Sequence, residues 1–89
     1  MRYRVSPEAL STVLRDGAVV LNLETKRYYS LNETGTRVWQ LLGENAAPTE
    51  IVAVLSREYE VDEAEAQRTT DALLDELVHE RLLVVAERR

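Results

Sequence analysis

The chain contains no cysteine. That absence removes disulfides, thiolate chemistry and every cysteine-based zinc arrangement at once, and it leaves the redox compartment open. No stretch approaches the ~20 apolar residues that a membrane helix needs, and Met1-Arg2-Tyr3-Arg4-Val5 has no apolar signal-peptide core. A cytoplasmic protein without a membrane partner is therefore expected. Low-complexity tracts, solenoid-period repeats and Ser/Gly linkers are also missing, so one domain over residues 1–89 is the simplest organisation. Basic residues are in deficit, 11 against 16 acidic ones, for a formal net charge of −5. Such a field repels nucleic acid and anionic membrane and favours cationic segments. The single histidine, His79, stands beside Glu80 with no hydroxyl or thiol nucleophile in a recognisable arrangement, and reads as a surface residue. With no catalytic, cofactor or metal group in evidence, and only 89 residues from which to build a core, a deep substrate pocket is not expected.

Strong local structure is concentrated between Asp16 and Leu42. Val19-Val20-Leu21-Asn22-Leu23 and Arg27-Tyr28-Tyr29-Ser30-Leu31 are β-branched, aromatic and aliphatic, and Glu24 to Arg27 is turn-prone, which predicts a β-hairpin. With Thr25 and Lys26 at the tip, Leu23 would face Tyr28, Asn22 would face Tyr29 and Val20 would face Leu31. Lys26 is not the glycine that a primed turn prefers, so a longer tip is an alternative. Tyr3-Arg4-Val5 reads as a short strand that Pro7 ends. Ala9-Leu10 with Val13-Leu14 reads as a turn of helix or an irregular crossing.

Three helices come next. Asn32 caps the first, Gly35, Val38, Trp39 and Leu42 recur at helical spacing, and Gly43 stands where a left-handed C′ residue belongs. Trp39 reads as the packing anchor of that helix. Pro48 opens the second, which buries Ile51, Val52, Leu55 and Tyr59. Asp62 with Glu65 reads as a capping-box variant for the third, whose apolar stripe is Ala66, Thr70, Leu73, Leu74, Leu77 and Val78. The acids Asp62, Glu63 and Glu65 complement its dipole and need no metal. Leu82 to Ala86 then reads as a terminal strand. The predicted fold class is α+β: a winged helix-turn-helix with an N-terminal three-stranded antiparallel sheet, three helices and a short C-terminal strand.

A winged helix brings a DNA-binding regulator into consideration. Its recognition helix would be the third, yet from Asp62 to Glu80 that segment carries seven carboxylates against the single Arg68. Neutralisation of phosphate charge supplies essentially all non-specific DNA affinity, so an acidic helix at the groove argues against nucleic acid. A bare dimerisation module is the other alternative.

The run Tyr28-Tyr29-Ser30-Leu31-Asn32-Glu33-Thr34-Gly35-Thr36-Arg37-Val38-Trp39, preceded by Asp16-Gly17 and followed by Thr49-Glu50-Ile51, Tyr59-Glu60-Val61-Asp62, Leu73-Leu74-Asp75-Glu76-Leu77 and Leu82-Leu83, resembles the PqqD-like precursor-peptide recognition elements. The similarity covers nearly the whole chain and is strongest to the stand-alone leader-binding proteins of lasso-peptide biosynthesis. It implies a non-catalytic adaptor that binds the leader of a ribosomally made precursor peptide and presents it to a leader peptidase and a macrolactam-forming cyclase.

By position, the resemblance implies that a leader adds as a strand beside Arg27, Tyr28, Tyr29, Ser30 and Leu31, in a groove walled by the third helix. Main-chain groups on the edge would give sequence-independent affinity, and pockets would select side chains. On the helix, Asp71, Leu74, Asp75 and Val78 are the candidates, because one flank can offer both negative charge and apolar contact. Each has a plainer reading: Leu74 and Val78 as core, Asp71 and Asp75 as a solvated face. Tyr28 and Tyr29 must point to opposite faces, one to the core and the other to solvent or the groove.

Overall fold

The computed structural model describes residues 2–86. Its elements run β1 (Arg2–Val5), β2 (Ala9–Val13), β3 (Ala18–Asn22), β4 (Arg27–Leu31), α1 (Glu33–Gly43), α2 (Pro48–Tyr59), α3 (Glu63–His79) and β5 (Leu83–Ala86). The α+β class, the three helices and the terminal strand agree with the sequence. The sheet does not: there are two antiparallel sheets, β1-β5 and β2-β3-β4, in place of one three-stranded N-terminal sheet. Tyr3 pairs with Val85 and Val5 with Leu83, and the Ser6 N–H extends that ladder to the Leu82 carbonyl at 3.0 Å. The chain then reverses at Pro7, where Ser6 Oγ accepts from the Glu8 N–H. The segment read as a turn of helix or an irregular crossing is instead strand β2, paired with β3. Among the described residues one strand follows α3 and it pairs with β1, so the expected winged arrangement is not seen.

The β3-β4 register differs from the sequence reading by two residues: Val20 faces Tyr29, Leu21 faces Tyr28 and Asn22 faces Arg27. Asn22 is the cause. Its Oδ1 accepts from the N–H groups of Glu24 and Thr25, at 2.8 and 3.1 Å, and its carbonyl accepts from Lys26, which adopts φ 65°. This Asx geometry makes Leu23 to Lys26 a four-residue loop. A two-residue slip preserves side-chain faces, so the core pattern is unaffected. Ala18, Val20 and Asn22 of β3 and Leu31 of β4 are buried, while Val19, Leu21, Tyr28 and Ser30 lie on the other face.

Helix ends show the expected caps with one correction. Asn32 Oδ1 accepts from the Gly35 N–H, Pro48 opens α2, and Asp62 Oδ1 accepts from the Glu65 N–H. Gly43, however, stays inside α1, and the left-handed C′ position falls to Asn45 at φ 66°. The Ala46 N–H reaches the Leu41 carbonyl and the Asn45 N–H that of Leu42, which is a Schellman motif. Arg81, at φ 62°, closes α3 in the same way, with Leu82 bonded to Leu77 and Arg81 to Val78. Val38, Trp39 and Leu42 of α1, Ile51 and Leu55 of α2, and Leu74 and Leu77 of α3 fill the core with Val20, Leu82 and Leu83. The Arg37 guanidinium clamps both Glu58 carboxylate oxygens at 2.9 and 3.0 Å, tying α1 to α2 at the surface.

Candidate functional site

An antiparallel ladder alternates residues whose main-chain groups point toward one neighbour with residues whose groups point toward the other. Leu14 donates to the Gly17 carbonyl and Leu23 to that of Glu8, which fixes Gly17, Val19, Leu21 and Leu23 as the β3 positions bonded to β2. Ala18, Val20 and Asn22 must then bond Leu31, Tyr29 and Arg27 of β4. The N–H and C=O groups of Tyr28 and Ser30 are left on the outer side of β4. Among the described residues, strand order β2-β3-β4 places no partner there. The free edge therefore offers two donors and two acceptors at alternate residues, the spacing that an added strand requires.

Beside this edge lies a groove of about 500 Å³ between β4 and α3, continuing to Tyr59 and Val61 at the end of α2. On the strand side it is lined by Tyr29, Ser30 and Leu31. On the helix side it is lined by Glu65, Ala66, Thr69, Ala72, Leu73 and Glu76, which recur every three or four residues along one face of α3. Small residues at Ala66, Thr69 and Ala72 keep that wall low, and this creates the space. Both ionisable groups on the wall, Glu65 and Glu76, are acidic.

One end of the groove is tied shut. The Asn22 Nδ2 donates to the carbonyls of Glu80 and Arg81, at 3.1 and 3.2 Å, fastening the hairpin to the end of α3. Arg27 pairs with Glu80 at 3.4 Å. One turn earlier the Tyr29 hydroxyl donates to Glu76 Oε1, spanning the groove from strand to helix. That bond, with partial burial and the charges of Glu76 and Glu80, pushes the Tyr29 hydroxyl up to about 12. At neutral pH it is a fixed donor.

The structure brings together some of the residues predicted from sequence and separates others. Tyr29, Ser30 and Leu31 line the groove, Tyr28 contributes main chain to the edge and its ring to the opposite face, and Arg27 marks the closed end. None of Asp71, Leu74, Asp75 and Val78 lines it. Leu74 is core, Val78 packs half-buried against the core, and Asp71 and Asp75 are exposed, with Asp71 accepting from Gln67 Nε2 at 2.9 Å. The sequence reading missed Thr69, Ala72, Leu73 and Glu76. Thr69, Ala72 and Glu76 form a second stripe on α3, small and acidic where the core stripe is large and apolar, and Leu73 belongs to the stripe read as core. Among the described residues no group of three or more His, Cys, Asp or Glu side chains could hold a metal.

The family model described as "Coenzyme PQQ synthesis protein D (PqqD)" matches residues 17–83. The chain belongs to the PqqD family. As a PqqD-family chain it shares its fold with two solved structures, each a complex. "TbiB1 in Complex with the TbiA(beta) Leader Peptide" is 33% identical over 96% of this chain and 99% of that one, with a TM-score of 0.88. "Lasso peptide synthetase B1 complexed with the leader peptide" is 27% identical over 96% of this chain and 100% of that one, with a TM-score of 0.86. No curated protein sequence matches. Every residue of the groove, from Tyr29 to Glu76, falls inside the matched span of this PqqD-family chain. Among the described residues, no helix is long and apolar enough to cross a membrane.

Proposed function

We propose that the protein is a leader-binding adaptor for a ribosomally made precursor peptide of the lasso class. The leader adds as a strand to the free edge of β4. The observation that carries this reading is the unpaired main chain of Tyr28 and Ser30 bordering the groove, in a chain similar to proteins described in complex with leader peptides. The edge would supply affinity independent of side chains, and the groove would select them. Glu65 and Glu76, within a field of net charge −5, would favour a leader with basic residues near the helix wall.

In this reading the protein performs no chemistry. A leader peptidase and a macrolactam-forming cyclase act on the bound precursor, and binding raises the local concentration of the scissile segment at the peptidase. The setting is cytoplasmic, where the precursor is translated, and residues 1–89 act as one recognition domain. Within the expected contact set, Tyr29, Ser30 and Leu31 act directly. Asp71 and Asp75 act through their field from the solvent face of α3, while Leu74 and Val78 support the wall from behind. Neither a DNA-binding regulator nor a bare dimerisation module gains support from the acidic groove.

The test is titration with a synthetic leader peptide from a small open reading frame, where one lies beside the gene. Saturable one-to-one binding, competed by unlabelled leader and not by a scrambled peptide, is expected. Equal affinity for the scrambled sequence would contradict the proposal.

A further inference from the structure

A strand beside β4 has two faces, and only one of them meets the groove. Its side chains alternate, so for each residue directed at α3 the next in sequence is directed to the opposite side of the sheet. That side is not featureless. A hollow of about 340 Å³ lies there, walled by Leu14 and Val19, with the turn residues Arg15 and Asp16 at its rim. The hollow wraps the end of the sheet, with Gly17 and Ala18 at its floor, and both Ser30 and Leu31 line it as well as the groove, so the same stretch of edge gives access to each.

We propose that this hollow is a second side-chain subsite for the guest strand, and that it takes an apolar side chain from the residue adjacent in sequence to one seated in the groove. The inference rests on strand addition at β4 and goes beyond it, since it makes the protein read the guest on both faces of the extended sheet.

Four features support an apolar occupant. The register sets Ser30 opposite Val19, so a guest side chain leaning over the short serine meets Val19 at roughly two strand spacings, about 10 Å from the guest main chain. Leu14 is 55% exposed and presents an apolar wall to the hollow. Arg15 and Asp16 carry opposite charges side by side, so the rim has no net sign with which to select a charged group. The neighbouring row, Leu10, Leu21 and Tyr28, continues the apolar character of this face. In antiparallel sheets with one face on the core, the other face is usually polar.

The experiment is selection from a displayed library of random linear peptides on the wild-type protein and on two variants, Val19→Lys and Ser30→Leu. Circular dichroism confirms that each variant folds. Wild type is expected to enrich peptides with large apolar residues at adjacent positions, one for each face. In Val19→Lys, one of the two positions should turn acidic while the other keeps its preference. In Ser30→Leu, which fills the hollow, the same position should turn small. Enrichment at alternate positions only, unchanged in both variants, would overturn the second subsite and leave strand addition standing. No enrichment on folded wild type would overturn both.

Discussion

The Tyr29 hydroxyl donates its hydrogen bond to the Glu76 carboxylate, linking the free-edge strand to the helix that faces it. This bond sets where the groove stops. Beyond it, Arg27 with Glu80 and Asn22 with the Glu80 and Arg81 carbonyls hold strand and helix together. Before it, the small side chains of α3 leave them apart, and the groove runs along Ser30 and Leu31 toward Tyr59 and Val61.

The bond has a pH signature. Tyr29 is held protonated up to about 12, above its ordinary value near 10. A raised pKa means that the stabilisation is complete below pH ~10 and is lost as pH rises through ~12. Absorbance titration of tyrosinate should show a late-titrating group that disappears in Tyr29→Phe. A late-titrating component of undiminished amplitude in that variant, with the loss falling on the ordinary tyrosines, would place the shift elsewhere.

Charge reversal separates the groove wall from the solvent face of α3. Glu76→Lys should weaken leader binding about tenfold or more at low salt, combining lost attraction with lost closure. Asp75→Lys, one residue away but outside the groove lining, should change affinity only a few-fold, and that change should vanish at high salt. Titration at two ionic strengths distinguishes them, and equal effects would show that the wall acts only through its net field.

Asn22→Ala should cost about 2–3 kcal/mol in chemical denaturation, because a buried side chain that satisfies two N–H groups and two carbonyls is lost. A loss below about 0.5 kcal/mol would show that water replaces these bonds without penalty.

Thr70 presents the opposite case. It is fully buried on α3 and its hydroxyl has no hydrogen-bond partner. Thr70→Val keeps the shape and removes the unsatisfied group, so stability should rise by about 1 kcal/mol in the same assay. Destabilisation would mean that the hydroxyl is satisfied in solution.

Much of this architecture was legible from residue pattern. Asn32, Pro48 and Asp62 announced three helix starts because each has a specific local role at an N-terminus. Leu82 to Ala86 announced a strand through its apolar run. The hairpin's register was not legible, because it depends on an Asn22 side chain that folds its own turn and reaches the far end of α3. Strand β2 was hidden for a related reason. Leu10, Thr12 and Val13 are exposed, so no alternation with a buried face marks them. On α3 the core stripe was readable, Ala66 and Leu73 included, but the groove face also rests on Thr69 and Ala72, whose significance is the space they leave, and sequence patterning registers bulk more readily than its absence.

Completion of the sheet at β4 by a peptide can be followed residue by residue through amide hydrogen exchange, with and without the synthetic leader. The Tyr28 and Ser30 amides should exchange freely in the free protein and become protected on binding, while Tyr29 is protected in both states by its bond to β3. Saturable leader binding that leaves Tyr28 and Ser30 as unprotected as before would rule out strand addition at this edge.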